Sequence, residues 1–175
     1  MKLDNQEVAI AVIKELEQLS KSRVNFESHW EEIARRVIPN HANSFSGGGF
    51  QNKGDKRTQE LFDSTAAIAL NRFGAILDSL LTPRNQTWHR LKASEPSLNK
   101  NKEVRLWFEE VGRILFKYRY APKSNFASQN QHNYKSLGAY GTGCVFVDEL
   151  YGDPGIRYRN IHLAEIYILE NHQGI

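Results

Sequence analysis

The sequence contains little cysteine and methionine, with one of each among 175 residues. The single cysteine, Cys144, cannot form a disulfide within the chain, which indicates a reducing compartment. Long hydrophobic runs are also missing. A six-residue apolar run near the start is followed at once by Lys14 and Glu15. This run is too short and its flanks too charged for a signal peptide or a membrane span, so we expect no membrane partner.

Motifs that would carry catalysis are missing as well. The chain has no G-x-x-x-x-G-K-[ST] phosphate loop, and its six histidines show neither H-x-x-x-H nor H-E-x-x-H spacing. The glycines of residues 138–143 follow a predicted helix and precede a predicted strand, the reverse of the order in a dinucleotide site. We interpret them as the end of a helix. We expect no catalytic residue, cofactor or metal site, with a metal site assembled from distant residues left open.

The charge of the chain is mixed. There are 23 basic and 20 acidic side chains, which give a net charge of +3, and 40% of the residues are hydrophobic. A chain of this length and composition can bury a core of ordinary size. The mild basic excess permits contact with nucleic acid without requiring it.

Apolar spacing predicts two helices at the start of the chain. Asp4 and Glu7 have the spacing of a capping box, which begins a first helix over residues 4–19. Phe26, Trp30, Ile33 and Val37 recur at spacings of four, three and four, so they form one stripe on a second helix that ends at Pro39. We expect the two helices to form an antiparallel or angled pair.

Residues 40–57 show no periodicity and are rich in glycine, asparagine and serine. This composition predicts a long mobile loop inside a helical region. Lys53, Lys56 and Arg57 in this loop are candidate phosphate contacts. A solvated flap without a ligand is the alternative.

A third helix is predicted over residues 59–81, where two adjacent stripes are apolar. A helix that is apolar over so much of its circumference must be covered on two sides. Pro83 ends this helix, and Asp63, Ser64 and Thr65 are interpreted as residues that cap its polar N-terminal part.

Residues 87–93 are predicted to form a short strand. Ser97 is predicted to cap a fourth helix that Pro122 ends, and Ser124 to cap a fifth helix that runs through Leu137. The tryptophans Trp88 and Trp107 suit either a plain core or a subunit interface.

After residue 143 the pattern changes to strands. "CVFVDEL" and "IRYRNIHL" are predicted strands joined by the turn "YGDPG", and "EIYILE" is a predicted third strand followed by the turn "NHQG". The fold class is therefore α+β, with about five helices followed by an antiparallel sheet. We divide the chain into a helical region, residues 1–142, and the start of a β-region, residues 143–175, which we expect to continue in a longer polypeptide.

Four long stretches follow one another in a recognisable order: "NFESHWEEIARRVIPN", "LFDSTAAIALNRFGAILDSLLTPRNQTWHRL", "VRLWFEEV" and "KSNFASQNQHNYKSLGAYGTGCVFVDE". With the Gly/Ser-rich loop between the first two, this order resembles the N-terminal part of the head-to-tail connecting, or portal, proteins of short-tailed double-stranded DNA bacteriophages. The resemblance covers nearly the whole chain. The residues that match the family's motifs, to which we assign structural roles, are Trp30, Pro39, Asp63, Ser64, Thr65, Thr82, Pro83, Trp88, Ser124, Asn125, Phe126 and Gly141.

The resemblance implies a structural protein and not an enzyme. Portal subunits form a homo-oligomeric, dodecameric ring at one capsid vertex of the virion, after assembly in the host cytoplasm. The ring passes double-stranded DNA during packaging and ejection, and its partners are the capsid, the scaffold, the packaging motor and the tail adaptor. On this reading the long apolar helix is covered by its own domain and by further elements or a neighbouring subunit.

Two other classes of protein remain as alternatives. A monomeric nucleic-acid-binding module would use the 40–57 loop and residues 117–123, where basic and aromatic side chains alternate. It predicts tight, salt-sensitive binding to short DNA, whereas the portal interpretation predicts weak binding. A nuclease would need an acidic metal cluster, which the sequence does not place together.

Overall fold

The computed structural model describes residues 5–45, 57–58, 61–152 and 154–169. They form four α-helices and one antiparallel pair of strands, which confirms the α+β class with four helices in place of about five. The elements in chain order are α1 (Asn5–Val37), α2 (Thr65–Leu81), α3 (Lys102–Arg119), α4 (Phe126–Tyr140), β1 (Cys144–Glu149) and β2 (Ile156–Ile161). Short 3-10 turns lie at Pro39–His41, Leu98–Lys100, Pro122–Ser124 and Leu163–Glu165.

The chain divides into two compact units. Unit 1 comprises residues 1–67 and 162–175, and unit 2 comprises residues 68–161. Within the described ranges, no helix is both long enough and apolar enough to cross a membrane.

Helix α1 is one continuous helix of 33 residues, so the prediction of a helix pair was wrong. The expected break near residue 20 contains no glycine or proline, and serine and lysine alone do not stop helix propagation. The Ser22 hydroxyl donates to the Leu19 carbonyl at 2.8 Å, and Arg23 pairs with Glu27 across one turn at 2.7 Å. Both interactions suit a helical backbone.

Helix α2 begins at Thr65, later than the predicted start at residue 59. The Asp63 carboxylate accepts the Thr65 N–H at 2.8 Å. The carboxylate satisfies a backbone donor at the point where the helix begins, and residues 61–64 before it are not helical. With 17 residues, α2 is about 25 Å long.

The caps of α3 and α4 differ in part from the predicted ones. Asn101, and not Ser97, caps α3, because its side-chain oxygen accepts the Glu103 N–H at 2.9 Å. The Ser124 hydroxyl accepts the Phe126 N–H at 3.4 Å at the start of α4. Helix α4 continues to Tyr140, three residues beyond the predicted end. Gly141 ends it with φ 75°, and its N–H donates to the Leu137 carbonyl at 3.0 Å, which confirms the interpretation of this glycine.

Strands β1 and β2 form the predicted hairpin, in a register that runs from Cys144 opposite Ile161 to Glu149 opposite Ile156. The predicted third strand was wrong for the described residues: 163–165 form a 3-10 turn, and 166–169 join no sheet. Residues 171–174, the predicted second turn, lie outside the described residues. Residues 87–93 belong to no strand and have no strand partner among the described residues, so this strand prediction was also wrong.

Each unit has its own small core. Ala34, Ala42, Phe45 and Leu163 are buried in unit 1, whereas the buried residues of unit 2 include Leu70, Phe126, Tyr134, Tyr140 and Tyr158. In unit 2, α4 packs on β2 and on α2. The buried side of α2 carries Leu70 and Gly74, while Ile68, Ile76 and Leu80 are exposed. The predicted second covering of α2 therefore stays a prediction.

Candidate functional site

Unit 2 brings together several of the motif residues around the C-terminal end of α2. We call this cluster the Thr82 junction and define it as Thr82, Trp88, Tyr120, Phe126 and Tyr134. These residues come from the segment after α2, from the end of α3 and from α4. The cluster therefore ties together three helices that are distant in the sequence.

Thr82 lies at the centre of the junction and is buried. Its hydroxyl lies 2.9 Å from Asp78 Oδ1 and 3.2 Å from the hydroxyl of Tyr134, and it accepts the Asn130 amide at 3.2 Å. The Thr82 carbonyl accepts the Tyr120 hydroxyl at 2.8 Å. The end of α2 would otherwise leave backbone carbonyls without partners, and here a side chain from α3 supplies one.

Trp88 joins the same network through its indole nitrogen. Trp88 Nε1 donates to the Tyr120 hydroxyl at 3.1 Å, so this phenol accepts from Trp88 and donates to Thr82. The rings of Trp88 and Phe126 lie nearly parallel, with centroids 6.3 Å apart. Burial raises the pKa of Tyr120 despite the opposing hydrogen bond from Trp88. The phenol is thus protonated at neutral pH and can donate.

Arg119 covers the aromatic side of the junction. Its guanidinium carbon lies 4.8 Å from the centroid of Trp88 and 5.5 Å from that of Phe126, in the geometry of cation–π contacts. Its Nε donates to the Tyr158 hydroxyl at 3.3 Å, and its Nη1 lies 3.2 Å from His89 Nδ1. Burial, followed by the Arg119 charge, lowers the pKa of His89. A neutral His89 can therefore accept at Nδ1.

The "SNF" segment makes the turn that joins α3 to α4. The Ser124 hydroxyl bonds to the Arg119 carbonyl and, at 2.8 Å, to the Ala121 carbonyl. Asn125 adopts the left-handed conformation, with φ 60°, which asparagine tolerates better than most residues. Phe126 is buried, and its ring centroid lies 4.9 Å from that of Tyr158 on β2. The three residues therefore turn the chain and place one ring in the core.

Trp30 and Pro39 belong to unit 1 and contribute to a different cluster. The Trp30 ring lies 5.9 Å from that of Phe26 and 5.6 Å from that of Phe45, between centroids. Pro39 begins the 3-10 turn after α1. The carboxylate of Glu31 accepts the backbone N–H of Asn43 at 2.6 Å. Glu31 also accepts the N–H of Phe45 at 3.2 Å and the Nε of Arg35 at 3.0 Å.

The candidate phosphate contacts stay a prediction. Lys53 and Lys56 lie outside the described residues. The guanidinium of Arg57 donates to the Asn40 carbonyl at 2.6 Å.

The remaining motif residues lie at the two ends of α2. Asp63, Ser64 and Thr65 lie at its start, and Pro83 lies directly after Thr82. Their motif roles likewise stay predictions.

Sequence reasoning missed Arg119, Tyr120, Asn130 and Tyr134 as partners of the motif residues. Arg119 and Tyr120 lie within the basic and aromatic segment 117–123, for which the sequence alone suggests only a nucleic-acid contact. A signal was present, because the hydroxyl of a buried tyrosine usually has a hydrogen-bond partner. Nothing in the sequence pairs Tyr134 with Thr82.

The junction fixes the arrangement of helix ends through buried hydrogen bonds. Its hydroxyls make hydrogen bonds to backbone and side-chain groups, and the Thr82 hydroxyl also contacts the Asp78 carboxylate. Across the described part of the chain, no three His, Cys, Asp or Glu residues are placed to hold a metal ion. The arrangement can hold α2, α3 and α4 in one orientation.

The α+β fold and its cluster of motif residues occur together with a family match over almost the whole chain. Residues 9–175 match the family described as bacteriophage head to tail connecting protein. The chain belongs to this family.

Two curated relatives carry portal names. The chain is 29% identical over 157 residues to the "Probable portal protein" of Bordetella phage BPP-1, a match that covers 90% of this chain and 27% of that protein. It is 28% identical over 163 residues to the "Portal protein" of Salmonella phage epsilon15, with 93% of this chain and 28% of that protein covered. The chain therefore spans little more than a quarter of the length of these relatives.

Proposed function

We propose that this chain is part of a portal subunit. Such subunits form a ring at one capsid vertex, through which double-stranded DNA is packaged and ejected and to which the tail attaches. The observation that carries the proposal is the match of residues 9–175 to the head-to-tail connecting family, in which two relatives are named portal proteins. The Thr82 junction supports a mechanical role, because satisfied buried polar groups hold helices in one arrangement under load.

The surface charge is consistent with a channel that DNA moves through. The chain carries a net charge of only +3. Each firm phosphate contact adds salt-dependent affinity that would oppose sliding. We therefore expect weak, sequence-independent binding of duplex DNA. We expect the subunit to act without catalysis and to assemble in the host cytoplasm into the virion.

Electron microscopy of the gene product at its full natural length, purified without capsid, tests the proposal. We expect rings with an axial hole, and the number of subunits, for which we propose twelve, can be counted in the images. Uniform small monomers across a range of protein concentrations would contradict the proposal. In that case, tight and salt-sensitive binding to short DNA would favour the monomeric nucleic-acid-binding module.

A further inference from the structure

Residues 87–92 form a segment that belongs to no helix or strand. Among the described residues, nothing hydrogen-bonds to a backbone N–H or C=O of this segment. The segment is nonetheless held in place, because Trp88 donates to Tyr120 and His89 contacts Arg119. At the next residue, Ala93, the Asn99 carboxamide bonds to both the N–H (2.9 Å) and the C=O (3.0 Å), as a neighbouring strand would. The segment thus presents a backbone edge that is open among the described residues.

This open edge forms one wall of a groove of about 840 Å³, and α3 forms the opposite wall. The lining includes four basic residues and one acidic residue, Glu109, an excess of three positive charges. The basic residues are Arg90, Lys92, Arg105 and Arg113. Of these, Arg113 also pairs with Glu110 at 2.6 Å. The groove therefore suits an extended polypeptide that carries negative charge.

Strand β1 offers such a polypeptide. It pairs with β2 on one side, and across the described residues its other edge has no strand partner. Two of its apolar side chains are exposed, Phe146 at 48% and Val147 at 55%. Its last two residues, Asp148 and Glu149, are acidic. An ordered open edge with exposed apolar side chains is a site for strand addition.

We propose that β1 of one subunit lies in the groove of the next subunit and pairs with residues 87–92 as an added strand. This inference rests on the proposed ring. The two open edges occur on the same unit and are not paired with each other within the chain. Each subunit then presents one groove and one strand to different neighbours. Such a heterologous, head-to-tail contact is the type that closes into a ring.

Charge complementarity favours this contact between copies. Asp148 and Glu149 of one copy would face the basic groove lining of its neighbour, and Phe146 would reach apolar surface near Phe108. Backbone hydrogen bonds supply affinity, and the charged pairs select the partner and the register. Neighbouring strands lie about 4.8 Å apart, so one added strand can pair with the backbone of residues 87–92.

Two charge-reversed variants of the full-length protein test the contact. R90E/K92E makes the groove acidic, and D148K/E149K makes β1 basic. Each variant alone places like charges in every contact. We expect each to raise the protein concentration at which half of the chains enter rings by about tenfold or more, as measured by sedimentation velocity. K100E/K102E is the matched control for R90E/K92E, because it makes the same change in charge on exposed residues outside the groove lining.

Mixing the two variants gives the decisive result. In a mixture, the acidic groove of one variant meets the basic strand of the other, and the remaining contact keeps its natural charges. We expect rings to return, with the two chains alternating. A variant that had lost its fold would not be rescued in this way, so rescue also shows that both variants are folded. If both variants keep the circular dichroism spectrum of the wild type and mixing restores no rings, the proposal is overturned.

Three other outcomes separate the strand contact from the proposed portal function. Rings that form normally in both single variants overturn the strand contact and leave the proposed portal function intact. A wild-type protein that forms no rings overturns both. If R90E/K92E instead loses binding to a 30-base-pair DNA duplex in fluorescence anisotropy while its rings are unchanged, the groove is a nucleic-acid site and the proposal is wrong.

Discussion

The hydroxyl of Thr82 lies 3.2 Å from the hydroxyl of Tyr134, although the two residues are 52 positions apart in the sequence. Thr82 directly follows α2, and Tyr134 lies in the middle of α4. Both side chains are buried. Their contact fixes the end of α2 against one face of α4. If either hydroxyl loses its partner, the other stays buried without a hydrogen bond, which destabilises the folded state.

Replacing Thr82 with valine tests how much this contact contributes to the free energy of unfolding. The change keeps the shape of the side chain but removes the hydroxyl that contacts Asp78, Tyr134 and Asn130. We expect the free energy of unfolding to fall by about 1–3 kcal/mol, because buried polar partners are left unsatisfied. Urea denaturation provides the measurement. Ser79→Ala on the exposed side of α2 is the control, and it should change stability by less than about 0.5 kcal/mol. Equal effects of the two changes would argue against the junction.

Arg119→Lys tests the contacts that the Arg119 guanidinium makes with the aromatic side of the junction. Lysine keeps the charge but cannot contact Tyr158 and His89 at once while stacking on Trp88, because it lacks the planar fork of arginine. We expect a loss of about 1–2 kcal/mol, since charge-assisted hydrogen bonds and a cation–π contact are weakened together. The exposed Arg72→Lys serves as the control in the same thermal unfolding assay. A destabilisation no larger than that of the control would show that the charge alone suffices.

Glu31 is expected to make unit 1 sensitive to acid. Burial raises the pKa of Glu31, but hydrogen bonds from the Asn43 and Phe45 N–H groups and from Arg35 outweigh burial and hold the pKa below the ordinary value of 4.5. Because the folded pKa is depressed, the carboxylate stabilises the fold above pH 4.5. This contribution is lost as the pH falls through the folded pKa.

Unfolding measured as a function of pH checks this expectation. Glu31→Gln should remove the acid-induced loss of stability and lower stability at neutral pH. Glu32→Gln, which changes an exposed side chain paired with Arg36 at 2.8 Å, should retain the loss. If both variants keep the wild-type pH profile, Glu31 does not hold the loop after α1.

Gly138 and Gly112 should respond oppositely to alanine. A Cβ on Gly138 of α4 would lie 2.7 Å from the Phe73 ring and 2.9 Å from Leu70, whereas a Cβ on Gly112 of α3 would meet nothing within 4 Å. We expect Gly138→Ala to destabilise the protein by about 1 kcal/mol through overpacking. Gly112→Ala should stabilise dissociated subunits by about 0.5–1 kcal/mol, because alanine is the better helix former. The measurement is the unfolding midpoint of each variant. If both midpoints shift in the same direction, α2 does not pack closely on α4.

The sequence predicted most helices and both hairpin strands, because apolar periodicity and turn residues act locally. Errors arose where a local signal was weak. The serines near residue 20 suggested a break, but without glycine or proline the helix of α1 continues. The apolar content of residues 87–93 suggested a strand, yet an extended segment becomes a strand only when a partner pairs with it.

The sequence by itself determined the α+β class, the antiparallel hairpin after residue 143 and, through the order of its motifs, the family. Only the tertiary structure decided which motif residues act together. It placed Thr82, Trp88 and Phe126 in one junction with Arg119, Tyr120 and Tyr134, and it placed Trp30 in a separate cluster. The physical reason is that capping and turn formation depend on neighbouring residues, whereas buried hydrogen bonds and ring contacts depend on how distant segments pack.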